Sequence, residues 1–350
     1  MRLLSRLAAC GAIAAPLLSA GIPTPGSATG LPATPVAASW TDLVTPLQQA
    51  SPRMRFHAGG IDPATNQPLV LPALPDIPGA ASDWYVAQWQ QKNYLDAGMA
   101  HALPRGAGWS FATADGHSSV QINRADDPLG IGYHLFERGG ILTSGGGSNL
   151  FLTAPLRTAL PAASYGNPVQ LRIGTRIEDA FVRYDTPTAK ESGAVLAMAF
   201  VGTGALFLPP PGSTDAAQFV FVQVPVTVSK AVPSGPGIIC SVAGNQPLLL
   251  YAPPMASLAF RADGRIQTEV VDMQDVIRGM VSRPYPCGGR SMGWSAAKTD
   301  VRNWYFTGLY AGLKVQDTDT RAGSVSPAPQ GRAELGLEVT ELSVRRRSAP

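Results

Sequence analysis

The chain has 350 residues, with 27 Lys and Arg against 24 Asp and Glu, so its formal net charge is only +3. This near-balance excludes the strongly basic footprint with which nucleic-acid-binding domains hold phosphates. The basic triplet Arg345-Arg346-Arg347 near the C-terminus is typical of a solvated chain end. We therefore expect no nucleic-acid partner.

The first 20 residues have the pattern of a secretory signal peptide. Arg2 and Arg6 form a basic start, Leu7–Leu18 is apolar, and the small residues up to Ala20 suit cleavage. This apolar stretch is shorter than the roughly 20 residues that span a membrane. A lipoprotein signal ending at Cys10 is the alternative, but its hydrophobic segment would have to precede the cysteine. We predict a secreted or periplasmic protein, with no membrane span after cleavage.

Removal of the signal leaves two cysteines, Cys240 and Cys287. In an oxidising compartment such a pair favours a disulfide, and two buried free thiols are the alternative. A bridge over this separation would stabilise the fold by about 4 kcal/mol on the chain-entropy model. Neither cysteine lies in a catalytic pattern.

Prolines divide the chain into regions. Residues 21–80 hold 11 of them, and proline is unsuited to long helices and central strands. We predict a Pro-rich linker or arm over residues 21–80 and a β-sandwich domain over residues 81–346.

Short segments rich in aromatic and β-branched residues follow the arm, separated by Gly, Pro and Asp turns. The predicted strands are Trp84–Trp89, Ser118–Asn123, Gly130–Glu137, Val169–Ile173, Arg176–Tyr184, Gly193–Leu208, Gln218–Val228, Leu248–Tyr251, Ser257–Arg261, Arg265–Val270, Asn303–Val315 and Ala333–Val344. One segment, Met273–Val281, has apolar residues at helical spacing, with Asp272 placed to cap it. The fold class expected is an all-β, antiparallel, jelly-roll-like sandwich with one short helix.

The closing strands carry a resemblance to a known superfamily. Trp304–Val315 and Leu335–Val344 resemble the final strands of concanavalin A-like jelly rolls, which include lectins, glucanases and polysaccharide lyases. In the related glucanases a catalytic glutamate follows an aromatic-x-Gly-x pattern. Here Tyr310-Ala-Gly-Leu is followed by Lys314. The resemblance therefore implies the shape of a sugar-active sandwich without that chemistry.

Aromatic residues are the candidate ligand-binding groups. Trp84 and Trp89 lie on an early predicted strand, and Trp304 and Tyr310 lie on a late one. Regular alternation places Trp304 and Tyr310 on the same face. Rings on a concave face would stack on the apolar faces of sugars, whereas the alternative is that they form the core between the sheets. We predict binding of a polysaccharide or oligosaccharide through these four residues.

Two other functions remain open. A glycan-cleaving enzyme, either a glycoside hydrolase or a polysaccharide lyase, needs carboxylates such as Glu137 and Glu178, which lie on predicted strands. A structural protein of the cell envelope needs neither site. The sequence alone does not place the two carboxylates across one cleft.

Metal-binding patterns are weak in this sequence. The four histidines lack the spacing of a zinc site. Asp126-Asp127 and Asp317-Thr-Asp319 lie in predicted loops, where their oxygens suit calcium, but neither completes a calcium-loop motif. We expect no metal or other cofactor, with calcium as the alternative.

Overall fold

The structure is a computed structural model. It describes residues 39–47, 55–62, 67–71, 84–89, 94–103, 108–123, 133–138, 148–161, 168–192, 195–229, 237–243, 246–252, 265–287, 290–317 and 330–348. The predicted signal peptide and the first part of the linker lie outside these residues.

Strands dominate the described residues. They are β1 (Trp40–Asp42), β2 (Arg55–Asp62), β3 (Gln67–Leu71), β4 (Tyr85–Trp89), β5 (Ala100–Ala102), β6 (Gly108–Ala112), β7 (Ser118–Asn123), β8 (Tyr133–Arg138), β9 (Ser148–Pro161), β10 (Val169–Tyr184), β11 (Leu196–Phe207), β12 (Gln218–Val228), β13 (Gly237–Ala243), β14 (Gln246–Ala252), β15 (Gln267–Asp272), β16 (Tyr285–Cys287), β17 (Arg290–Met292), β18 (Trp304–Gln316) and β19 (Gly331–Arg347). The helices are α1 (Pro187–Ser192), α2 (Met273–Val281) and α3 (Ala296–Thr299), with 3₁₀ turns at Ala97–Met99 and Val301–Asn303.

The strands form two large, mainly antiparallel sheets. Sheet A has the order β15-β10-β19-β8-β7-β6-β5, and β1 also pairs with β19. Sheet B has the order β13-β14-β12-β11-β18-β9-β4-β2-β3. Two of its pairs, β12 with β14 and β2 with β4, are parallel. The predicted all-β sandwich is confirmed, and the closing strands β18 and β19 lie near the centres of opposite sheets.

A single large hydrophobic core joins the two sheets. Sheet A contributes Phe111 and Tyr133, and sheet B contributes Phe207 and Phe306, all of them at most 2% exposed. Burying one side chain of this size stabilises a fold by about 1.5–3 kcal/mol. Because one face of each sheet is committed to this core, the opposite faces, called here the outer faces, are the surfaces left for function.

Two predicted boundaries differ from the structure. The Pro-rich segment 21–80 supplies β1, which pairs with the end of β19, and β2 and β3, which extend one edge of sheet B. The two strands predicted over 169–184 are one strand, β10, whose register against β19 shifts between Gly174 and Thr175. In both cases short apolar segments extend a sheet although a proline or glycine interrupts the pattern.

The predicted helix is confirmed as α2. Its Met273, Val276, Ile277, Met280 and Val281 side chains are buried, and the Asp272 carboxylate accepts hydrogen bonds from the backbone N–H groups of Gln274 and Asp275. Two further short helices, α1 and α3, were not predicted. In the described part of the chain no helix is both long and apolar enough to cross a membrane.

The predicted disulfide between Cys240 and Cys287 is present, with a Cα–Cα distance of 5.2 Å. It ties β13, at one edge of sheet B, to β16 in the hairpin that follows α2. The bridge closes a sequence separation of 47 residues, for which the chain-entropy model gives about 4 kcal/mol.

Replacing both cysteines, as Cys240→Ser with Cys287→Ser, should lower the free energy of unfolding by about 2–4 kcal/mol because the unfolded chain regains its loop freedom. Urea denaturation with and without reductant measures this effect. Reductant should destabilise the wild type and leave the double variant unchanged. An unfolding midpoint of the wild type that does not respond to reductant would contradict the prediction.

Candidate ligand-binding face of sheet B

Two of the predicted ligand-binding residues lie in the core. Trp84 and Trp304 are both fully buried. Trp84 Nε1 donates to the Thr45 carbonyl at 2.9 Å, and Trp304 Nε1 donates to the Lys298 carbonyl at 2.8 Å. Their ring faces contact other core side chains and not a surface. The prediction that they stack on a ligand is therefore replaced by a structural role.

An irregularity in β18 explains why Trp304 and Tyr310 do not share a face. Against β11, two residues of β18, Thr307 and Gly308, lie opposite the single Gly204. An extra residue of this kind reverses the direction of every side chain beyond it. Before the bulge, Trp304 points into the core. After it, Tyr310 points to the outer face of sheet B.

The outer face of sheet B carries a contiguous group of aromatic rings. Phe219 and Phe221 pack edge to face with centroids 4.8 Å apart, and Phe221 lies 6.4 Å from Tyr310. Tyr310 in turn lies 6.1 Å from Phe151 and 5.9 Å from Phe200. These five residues, on β9, β11, β12 and β18, are called here the aromatic face.

Glycines allow the rings to lie close to the sheet. A side chain at Gly202 would meet the Tyr310 ring at 2.5 Å, and one at Gly312 would meet the Phe151 ring at 2.5 Å. Each glycine lies directly opposite an aromatic residue on the next strand. The glycines therefore leave the space into which these rings fold, and a larger residue at either position would displace a ring.

The aromatic face is closed at one end and open at the other. Phe151 and Phe200 are only 5% and 3% exposed, whereas Phe219 is 36% exposed. Phe221 and Tyr310 are half-buried. Tyr305, which lies before the bulge, is half-buried as well, and it pairs with the same residue of β11, Leu206, as Phe219 does. The two buried rings support Tyr310. The open end leaves ring surface accessible to solvent.

The Tyr310 hydroxyl is a fixed hydrogen-bonding group. Its oxygen donates to the Val222 carbonyl at 3.0 Å. Burial raises the pKa of Tyr310 although a hydrogen bond with Gln223 opposes the shift. Burial also raises the pKa of Tyr85, which lies across β9 from Tyr310 and bonds with Thr153. Both hydroxyls therefore stay protonated at neutral pH.

Lys314 is the sole charged residue on β4, β11, β12 and β18. It lies on the outer face beyond Tyr310, between Met198 on β11 and Asn149 on β9. Within the described part of the chain no carboxylate pairs with it, and burial lowers the pKa of its amine. A desolvated ammonium without a counter-charge is costly.

The predicted catalytic carboxylates lie on the other sheet. Glu178 is on β10 and Glu137 is on β8, with β19 between them; the Glu137 side chain lies outside the described part. His134 Nδ1 lies 2.6 Å from Glu178 Oε1, and Arg176 Nε lies 2.6 Å from Glu338 Oε2. Glu178 is thus a member of an ion-paired cluster on the outer face of sheet A, remote from the aromatic face.

The remaining candidates are only partly described. Trp89 pairs through its backbone with Asn149 on β9, and its side chain lies outside the described part. Of the calcium candidates, Asp126, Asp127 and Asp319 lie outside it as well, and burial raises the pKa of Asp317. The described residues contain no group of three or more His, Cys, Asp or Glu side chains that would hold a metal.

Four rings of the aromatic face were missed by sequence reasoning: Phe151, Phe200, Phe219 and Phe221. Phe219 and Phe221 alternate with valines, so the pattern predicts a strand but is apolar on both faces. The segments around Phe151 and Phe200 are continuous apolar runs. Such runs do not indicate which face meets the core. The glycines opposite these rings were the one available signal.

Comparison with known proteins gives matches in shape but not in sequence. No protein-family model and no curated protein matches the chain. A family 11 xylanase from Neocallimastix patriciarum is 10% identical, over 75% of this chain and 99% of its own, with a TM-score of 0.37. A family 12 xyloglucanase from Bacillus licheniformis is 9% identical, over 75% of this chain and 99% of its own, with a TM-score of 0.36.

Both enzymes belong to families with concanavalin A-like jelly-roll sandwiches, the class that β18 and β19 resemble. With TM-scores below 0.5, the likeness carries no argument about the function of this chain.

Lys314→Met should raise the free energy of unfolding at neutral pH by about 0.5–2 kcal/mol, because it removes the desolvated charge and keeps the packing of the side-chain stem. Since the folded-state pKa is depressed, the cost of the charge is fully present below that pKa. It disappears as the pH rises towards the ordinary value of 10.5. Thermal or urea unfolding at neutral and alkaline pH measures the difference.

The matched control is Lys298→Met. Lys298 Nζ lies 5.5 Å from the centre of the Phe207 ring, so its charge has an aromatic partner. This substitution should give no stabilisation. A Lys314→Met variant less stable than the wild type at neutral pH would contradict the prediction.

Proposed function

We propose that this protein binds polysaccharide through the open end of the aromatic face, formed by Phe219, Phe221 and Tyr310 together with Tyr305. The observation that carries the proposal is the contiguous group of rings on the outer face of sheet B, which becomes accessible at Phe219. Soluble proteins keep few large aromatic surfaces exposed unless they bind something.

The chemistry of this surface suits sugars. A pyranose ring has apolar C–H faces, which pack on an aromatic ring, and hydroxyl edges, which need hydrogen-bonding partners. The aromatic face combines Phe rings with polar groups, because Thr307, Gln223 and Asn149 lie on the same outer face.

The length of the surface supports a polymer as the ligand. Leu206, directly opposite Phe219, lies eight residues along β11 from Met198, which is directly opposite Lys314. At the rise of a β-strand this distance is about 27 Å. A ligand that contacts both the open end of the aromatic face and Lys314 has to span this distance, which suits an extended chain of several sugar units better than a single small molecule.

Binding without cleavage is the better supported activity. Glycoside hydrolysis uses two carboxyl groups that flank the scissile bond, about 5–9.5 Å apart. No acidic residue lies on β4, β9, β11, β12 or β18. The carboxylates of the His134 and Arg176 cluster lie on the other sheet and are engaged in ion pairs.

Export is part of the proposal. The disulfide between Cys240 and Cys287 fits an oxidising compartment, as does the signal-like start of the sequence. We therefore place the protein outside the cytoplasm, where it would meet extracellular or cell-envelope polysaccharide.

The double variant Phe219→Ala with Tyr305→Ala should weaken polysaccharide binding at least about tenfold, because two ring surfaces are lost. Affinity electrophoresis through gels that contain single polysaccharides measures binding, and circular dichroism verifies folding. The matched control is Phe181→Ala, which removes a ring that is 41% exposed on the outer face of sheet A.

Two outcomes would contradict the proposal. One is unchanged binding by the folded double variant. The other is a loss in the Phe181→Ala control as large as the loss in the double variant. Incubation with the same polysaccharides should release no new reducing ends and no unsaturated products, and any release would favour the alternative of a glycan-cleaving enzyme.

A further inference from the structure

Lys314 is not explained by binding of a neutral sugar. It lies on the same outer face and the same strand as Tyr310, four residues further along β18. At the rise of a strand its Cα is therefore about 13 Å from that of Tyr310. A chain of sugars that extends along β18 from the open end, past the buried Phe151 and Phe200 rings, would reach Lys314.

The described strands that surround Lys314 supply no anion. Its cross-strand neighbours are Met198 and Asn149, which carry no charge, and Gly312 precedes it on the same face. β4, β9, β11, β12 and β18 hold no acidic residue. The buried Glu334 carboxylate on sheet A differs, since it pairs with both Arg138 and Arg332.

A half-buried ammonium without a partner is a receptor for an anion. Water solvates it poorly, so an incoming carboxylate or sulfate replaces fewer water contacts than it would at a solvated lysine. The aliphatic stem adds apolar surface between the aromatic rings and the charge. Recognition of this kind needs one negative group on the ligand at the level of Lys314.

We propose that the polysaccharide is anionic and that Lys314 Nζ binds one of its carboxylate or sulfate groups. This inference rests on the proposed function, because it assigns a substrate class to the same outer face. Lys314 would determine the specificity for charged polymers, whereas the aromatic rings would bind the sugar rings of charged and neutral polymers alike.

The test compares polymers that differ only in charge. Polygalacturonate and its fully methyl-esterified form probe the carboxylate, and dextran sulfate and dextran probe the sulfate. The wild type should bind at least one anionic polymer about tenfold more tightly than its neutral partner. That preference should weaken with rising salt concentration.

Two substitutions at Lys314 separate charge from packing. Lys314→Met should abolish the preference for the anionic polymer and leave binding of the neutral partner within about twofold. Lys314→Arg should retain the preference, because it retains the charge. The carboxylate pair and the sulfate pair together identify which anion is preferred.

The outcomes distinguish this inference from the proposed function. Equal binding of charged and neutral polymers by the wild type would overturn the inference and leave polysaccharide binding intact, as would equal losses for both polymers in Lys314→Met. If the preference survives in Lys314→Met, a different cation carries it and the inference is wrong. If Phe219→Ala with Tyr305→Ala leaves all binding unchanged, the proposed function itself fails.

Discussion

The position of the bulge in β18 determines which surface the protein presents. β18 is central in sheet B, so one of its faces must enter the core along its whole length. Before the bulge this face carries Trp304 and Phe306, and after it Leu309 and Ala311. Without the extra residue at Thr307-Gly308, either the two large rings or the aliphatic residues would face outwards. Because of the bulge, the apolar residues both before and after it face the core, and Tyr310 lies on the outer face.

The outer faces of the two sheets differ in the kind of residues that they carry. On sheet A the charged residues of β10, β19 and β8 pair with one another, as Arg176 does with Glu338 and Arg138 with Glu334. These charges are thus paired within sheet A. On sheet B the described strands β4, β11, β12 and β18 hold one charge, Lys314, and the outer face carries aromatic rings that are partly exposed at Phe219. This asymmetry is the reason that the candidate site belongs to sheet B.

Local patterns predicted elements better than they predicted faces. The spacing of Met273–Val281 and the cap at Asp272 are local, so α2 could be predicted closely. The disulfide followed from cysteine count and compartment. The face of Trp304 could not be predicted, because the bulge depends on how β18 pairs with β11, which is distant in sequence. For the same reason β2 and β3 were missed within a segment whose prolines argue against strands.

Lys314 is a candidate binding residue because its desolvated charge lowers the stability of the fold. A sheet face selected only for stability would carry Met or Thr at this position, because a half-buried ammonium opposes folding and no carboxylate in the described strands offsets it. The neighbouring positions, in contrast, favour stability. The Tyr310 ring packs closely over Gly202, and the Phe151 ring packs closely over Gly312. The cost of the Lys314 charge is therefore the observation that supports a role in binding a complementary charge.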